Sequence, residues 1–188
     1  MEIKSSSVES SKKYILDKFG NDGYERWLNS LPEKSQVIFR GMIHSTPWYP
    51  IQDGMVQPTI VTAQLFFNND VNKAAREMGR YSSDRAFTGL YKLLARLASP
   101  ETFIERGVKI LNDYYRGMTC KIIELQKGHW MLQLHGFTEP MPVVEQRTVS
   151  WLETALTKCS AKNLKMAITR TSSGRPTDYT EIEATWSV

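Results

Sequence analysis

The sequence is short of the residues from which metal and redox centres are built. Among 188 residues there are two cysteines and three histidines. Cys120 and Cys159 share no C-x-x-C spacing, so neither a disulfide framework nor a zinc knuckle is written here. Cys159 falls on the apolar stripe of a helical pattern and Cys120 inside a strand pattern. Both read as small buried hydrophobes, which suits a reducing cytoplasm. No stretch reaches the run of about eighteen apolar residues that a membrane span needs. Met1–Ser11 is serine-rich and charged, without the apolar segment of a secretion signal. A dense basic run is missing too: 24 Lys and Arg against 20 Asp and Glu leave a net charge of +4, spread along the chain. Nucleic acid and membrane are therefore not indicated as partners. G-x-S-x-G elbows and both kinds of phosphate loop are absent, and no histidine neighbours either thiol in sequence. The expectation is a cytoplasmic, non-catalytic domain.

What the chain has in quantity is aromatic side chains: five Trp, eight Tyr and seven Phe. They suffice for one well-buried core. The apolar pattern changes period near Gly117. Before it, spacing is helical: Tyr24, Trp27, Leu28 and Leu31 form a stripe ended by Pro32, and Phe87 to Leu97 form another. Helices are expected over Ser11–Phe19 (closed by Gly20), Thr59–Phe67 and Asn69–Gly79, with Asn69 or Asp70 capping the last. Ser99 and Pro100 open a further helix, in which Gly107 suggests close helix packing. After Gly117, Thr119–Gln126 and His129–His135 read as a hairpin, Val143–Ser160 as a helix, and Asn163–Thr171 with Tyr179–Val188 as a second hairpin. The fold class is α+β, an antiparallel sheet carrying a layer of helices. Residues 1–21 are expected as a partly flexible extension and 22–188 as a single domain.

Candidate chemistry is sparse. His129 and His135 lie six apart in one strand pattern, about 20 Å end to end, too far to share a metal. One haem needs a single axial imidazole, so His44 and His135 stand as candidates for that role. Packed or surface histidine is the competing reading. Arg76 and Arg80 are four apart on one helix and can converge on an anion or an acidic partner. Glu181 and Glu183 alternate with Ile182 and Ala184, as the solvent side of a strand does.

Ala74-Ala75-Arg76-Glu77-Met78-Gly79-Arg80-Tyr81-Ser82 followed by Thr88-Gly89-Leu90-Tyr91 resembles a bacterial family of small domains. So do Trp48-Tyr49-Pro50, Tyr114-Tyr115, and the closing Thr169-Arg170 and Glu183-Ala184-Thr185-Trp186. That family is similar to the 4-vinyl reductase domain, the haem NO-binding domain and the core subunits of the TRAPP tethering complex. The resemblance implies a twisted four-stranded antiparallel sheet beside a helical layer, with a pocket between them for an apolar ligand, a haem or an acyl chain. Trp48, Phe87, Tyr91, Phe103 and Trp130 are the ligand-pocket candidates, and Arg76 and Arg80 the partner-binding ones. The cysteines that end the 4-vinyl reductase type are missing near Thr171 and Thr180, which excludes a cysteine metal site there. The Tyr-x-Ser-x-Arg motif of the haem-binding type is missing as well. That absence leaves the cofactor unassigned and counts against haem. A sensory or adaptor domain is the leading expectation, and a haem-based gas sensor the alternative. A homodimer, or a heterodimer with a similar chain as protein partner, is expected through the helices between Thr59 and Leu97, where Tyr81, Phe87 and Tyr91 join Ile60 and Leu65; a monomer whose aromatics all point inward is the competing reading.

Overall fold

The computed structural model describes residues 1–87, 99–159, 161–175 and 177–187. The first strand, β1 (Glu2–Lys4), is the centre of a three-stranded antiparallel sheet with β2 (Trp48–Pro50) and β3 (Tyr115–Arg116) on either side. Ile3 pairs with Tyr49 and Tyr115, so three residues of the N-terminus tie the irregular loop to the end of a distant helix. This differs from the flexible extension expected at residues 1–21. Ile3, Val8, Tyr14 and Ile15 are all buried. The inner face of α1 (Ser5–Ser30) includes Ser11, buried as a small residue where helices close up. Serines that look like a frayed start are here packing residues.

Gly20 breaks α1 with a positive φ of 69°, the left-handed turn that glycine tolerates, and the helix resumes to carry Tyr24, Trp27 and Leu28 inward. Pro32 then sets the start of α2 (Glu33–Arg40). A single π-helical turn over Gln52–Val56 leads into α3 (Gln57–Phe66). In α4 (Val71–Ala86) Asp70 is the cap, its carboxylate accepting the Lys73 amide at 2.9 Å. The helix runs well past Gly79, because Met78, Gly79 and Ser83 all bury against the helix of the C-terminal half. Ser99 caps α5 (Pro100–Tyr114) through the Thr102 amide at 3.2 Å. Most of the Phe87–Leu97 stripe, Tyr91 included, lies outside the described residues.

The second sheet has the order β4-β5-β7-β6, antiparallel throughout, from β4 (Thr119–Gln126), β5 (His129–His135), β6 (Lys162–Arg170) and β7 (Tyr179–Ser187). Between the hairpins runs α6 (Pro142–Thr157). Hairpin, helix, hairpin is the arrangement the alternating pattern predicts. On β5, Trp130, Leu132 and Leu134 are fully buried, and their register partners Ala184, Ile182 and Thr180 on β7 are buried with them. His129, Met131, Gln133 and His135 point to the other face. The described residues form one core running from Ile3 to Trp186. No helix among them is long and apolar enough to cross a membrane.

Candidate functional site

The four-stranded sheet does not line the cavity from which the site is built. Its inner face is filled by Trp130, Leu132, Leu134, Ile182 and Trp186, which pack in one cluster with Val149, Leu152 and Leu156 of α6. The cavity, of about 180 Å³, lies instead among the helices. Ser7, Ser10 and Lys13 of α1 form one wall, and Gly79, Ser82 and Arg85 of α4 another. Met55, Leu111, Tyr114 and Tyr115 supply apolar and phenolic surface, and α6 closes the space with Arg147, Thr148 and Trp151. Glu9 and Lys13 pair at 2.7 Å along its partly exposed rim. The lining is thus amphipathic, with more basic than acidic groups.

Local structure explains how these groups arrive together. β3 follows α5 directly, so pairing with β1 turns Tyr115 inward. Gly79 lets α4 approach α6 until the Arg147 carbonyl lies 2.5 Å from where a Cβ would stand. Arg147 is 3 % exposed and donates to Ser11 Oγ and Thr59 Oγ1, both at 3.2 Å. Burial pulls its guanidinium down to about 10, still protonated at neutral pH. Burial likewise raises the Tyr115 phenol, and pushes Tyr14 up to about 12.

Among the described residues, none of the ligand-pocket, partner-binding or haem-axial candidates is in the cavity wall, although Gly79, Ser82, Tyr114 and Tyr115 of the resemblance segments are. Phe87 and Phe103 pack together at 5.3 Å, and Phe87 touches Trp151, which is in the wall, at 5.8 Å. Trp48 is under the Arg116 guanidinium at 4.3 Å, and Trp130 is deep in the sheet core. Arg76 is held by Glu153 at 2.5 Å, a tie between α4 and α6, and Arg80 by Glu77 at 2.9 Å on its own helix. His44 bonds Glu9 at 3.0 Å and Ser5 at 3.3 Å. His135 packs against Tyr179 on the outer sheet face, and His129 lies between Glu124 and Glu183. Of the apolar residues expected to form a dimer face, Phe87 is buried, Ile60 and Leu65 are half-buried, and Tyr81, also half-buried, meets Tyr14 edge-on while its hydroxyl donates to Asp17. Arg147, Thr148 and Tyr115 are not legible as site residues in the sequence. The signal that exists is an arginine three residues after Val144 and four before Trp151, inside an apolar helical stripe.

A second buried ionisable group, Glu145, opens α6 and accepts a hydrogen bond from the Thr180 hydroxyl. Burial raises its pKa, against the Thr180 hydroxyl and Ser172 amide, which favour the charged form. The folded state therefore holds this proton more tightly than the unfolded chain does, and stability is lost as pH rises above the ordinary carboxyl range. Glu145→Gln is expected to flatten the wild-type decline and to melt higher at pH 7. Thermal melts from pH 4.5 to 8 measure this, and an unchanged slope would refute it.

No protein-family model and no curated protein matches the sequence. Solved structures do match, over nearly the whole chain. The H-NOX protein from S. oneidensis in the Fe(II)NO ligation state aligns with 99% of this chain and 100% of its own, with a TM-score of 0.70 and 9% identity. The Fe(II) unliganded H-NOX protein from K. algicida gives 0.67 at 10% identity, covering 99% and 97%. A mutant H-NOX from T. tengcongensis gives 0.68 at 13% identity, covering 99% and 98%. The fold is that of an H-NOX domain. These matches bear on the haem NO-binding branch of the resemblance alone. They also correct the expectation that counted against haem. Two of these neighbours are Fe(II) proteins, and a further similar structure concerns haem redox potential tuned by porphyrin distortion. A missing tripartite motif does not set haem aside in a chain that keeps the H-NOX fold from end to end.

Proposed function

We infer that this chain is a non-catalytic sensory domain that binds a small ligand in the cavity between α1, α4, α5 and α6, with haem as the first candidate and gas sensing as the role. The observation that carries this reading is the end-to-end match to haem-containing H-NOX structures, with a cavity enclosed by the helices. Haem would supply an iron atom that binds diatomic gases. The residues present meet its needs in part, while the space of about 180 Å³ is smaller than a porphyrin, so the helices would have to part to admit one. Arg147 fits a propionate, and Met55, Leu111 and Trp151 offer apolar wall. Iron donors in the wall are the phenols of Tyr114 and Tyr115 and the Met55 thioether, side-chain types known to ligate haem iron. No imidazole lines the cavity; His44 comes nearest through its bond to Glu9.

Adding hemin to the purified chain under reducing conditions tests the reading. The expected outcome is a one-to-one complex whose Soret band is displaced from free hemin and moves again on exposure to NO. An unaltered hemin spectrum would refute the haem reading. If the complex forms, Tyr115→Phe and His44→Ala separate a phenol from an imidazole as axial ligand. A second reading, the same cavity holding a small ligand other than haem, is favoured by one observation: all three histidines sit outside the wall while a buried arginine sits in it.

A further inference from the structure

Arg147 is a cation taken out of water without an anion. Its hydrogen-bond partners are hydroxyls, Ser11 Oγ at 3.2 and 3.3 Å and Thr59 Oγ1 at 3.2 Å. It forms no ion pair among the described residues, and the segment 88–98 contains no Asp or Glu in its sequence. Tyr14 and Tyr115, the phenols near it, are protonated at neutral pH, as phenols ordinarily are, and burial only raises both further. No phenolate compensates it. An unpaired buried charge is expensive and persists where something else brings the opposite charge.

The hydroxyls do not need Arg147. Ser11 Oγ donates to the Ser7 carbonyl at 3.4 Å, and Thr59 Oγ1 to the Met55 carbonyl at 2.8 Å. Each keeps a partner within its own helix or the turn before it if the guanidinium is removed. An independent observation lies one residue away. Thr148 Oγ1 is buried in the same wall and makes no hydrogen bond of acceptable geometry among the described residues, although the Tyr115 phenol is close by. A buried guanidinium without an anion and a buried hydroxyl whose nearest polar neighbour is the Tyr115 phenol thus share one cavity. The titratable groups of the wall add to the bias: Lys13, Arg85 and Arg147 stand against Glu9 alone among acids, and Glu9 is already paired with Lys13.

We propose that this cavity is an organic-carboxylate site, the carboxylate paired with Arg147 and hydrogen-bonded by Thr148, with a small apolar body against Met55, Leu111 and Trp151. The volume of about 180 Å³ is of the order of the roughly 150 Å³ cavity that accepts benzene, so benzoate is a suitable probe. A haem propionate presents the same group. The inference rests on reading the cavity as the ligand site, and the probes are chosen to separate the two.

The experiment is calorimetric titration of the full chain and of Arg147→Met with benzoate and benzamide, and with hemin and hemin dimethyl ester. Wild type is expected to prefer benzoate over its neutral amide by about 30-fold or more, the size of a desolvated charge pair. Arg147→Met should lose that preference while melting at or above the wild-type temperature, because an uncompensated charge is gone and both hydroxyls keep partners. A wild type that ignores benzoate but prefers hemin to its diester, with the preference lost in Arg147→Met, supports the same site and assigns the carboxylate to haem. Equal binding of acid and neutral probes, or a preference that survives Arg147→Met, overturns the carboxylate inference and leaves the cavity reading intact. Binding of none of the four overturns both. Should Arg147→Met fail to fold, the wild-type contrast between acid and amide decides alone.

Discussion

Replacing Trp27 by alanine is expected to lower the free energy of unfolding by about 3–5 kcal/mol, the range for truncating a large buried aromatic. Trp27 is fully buried where the second half of α1 meets α2 and α3. Its indole packs edge-on to Phe39 at 4.9 Å and tilted to Tyr24 at 5.8 Å. Its Nε1–H donates to Thr62 Oγ1 at 3.0 Å and to the Pro58 carbonyl at 3.2 Å. Alanine removes the packing and leaves a hole, but the Thr62 hydroxyl still donates to the Pro58 carbonyl at 2.7 Å. The loss is thus mainly one of volume. Trp27→Phe should therefore recover most of it, losing about 0.5–1.5 kcal/mol for the missing donor beyond the smaller ring. Urea unfolding followed by far-ultraviolet dichroism measures both. Equal losses for the two variants would mean that the hydrogen bond, not the filled volume, holds α1 against α3.

The same tryptophan shows which parts of this fold a sequence displays. Tyr24, Trp27 and Leu28 recur at helical spacing because one face of α1 meets a wide apolar layer, and the spacing records that. Trp130, Leu132 and Leu134 alternate because β5 has one buried and one wet face. Where burial is met by small or polar side chains, the record fades. Ser11 is buried nearly as completely as Ile15, yet serine in a charged segment signals a loose start. The cavity is hidden for the same reason. Much of its wall is serine, glycine and arginine, residues whose type usually marks a surface. Phe87 and Phe103, which mark a pocket to the eye, are here spent on filling the core between α4, α5 and α6. The likeness to H-NOX structures is of another kind: a short motif is what a sequence displays, while this likeness is spread over the whole chain.

Glycine gives the sharpest contrast between what spacing suggests and what geometry requires. Gly107 looks like the close-packing glycine, but among the described residues a Cβ there meets nothing nearer than the Phe103 ring, at 3.9 Å. Gly79 is the one that matters. A Cβ on it would lie 2.5 Å from the Arg147 carbonyl oxygen and 3.1 Å from the Arg147 Cα, all backbone that cannot rotate away. Alanine at Gly107 is therefore expected to stabilise the chain by about 0.5–1 kcal/mol, the ordinary gain from replacing glycine inside a helix. Alanine at Gly79 should destabilise despite the same propensity gain, and Gly79→Val should cost about 1–3 kcal/mol or more, since α4 and α6 must separate. Their separation also displaces Arg147 and Thr148 from the cavity wall, so benzoate or hemin affinity should fall at Gly79 while staying unchanged at Gly107. Denaturant melts and titrations of the two alanine variants test this together. A shift of the same sign for both would mean that the close approach of α4 to the Arg147 backbone does not set the cavity.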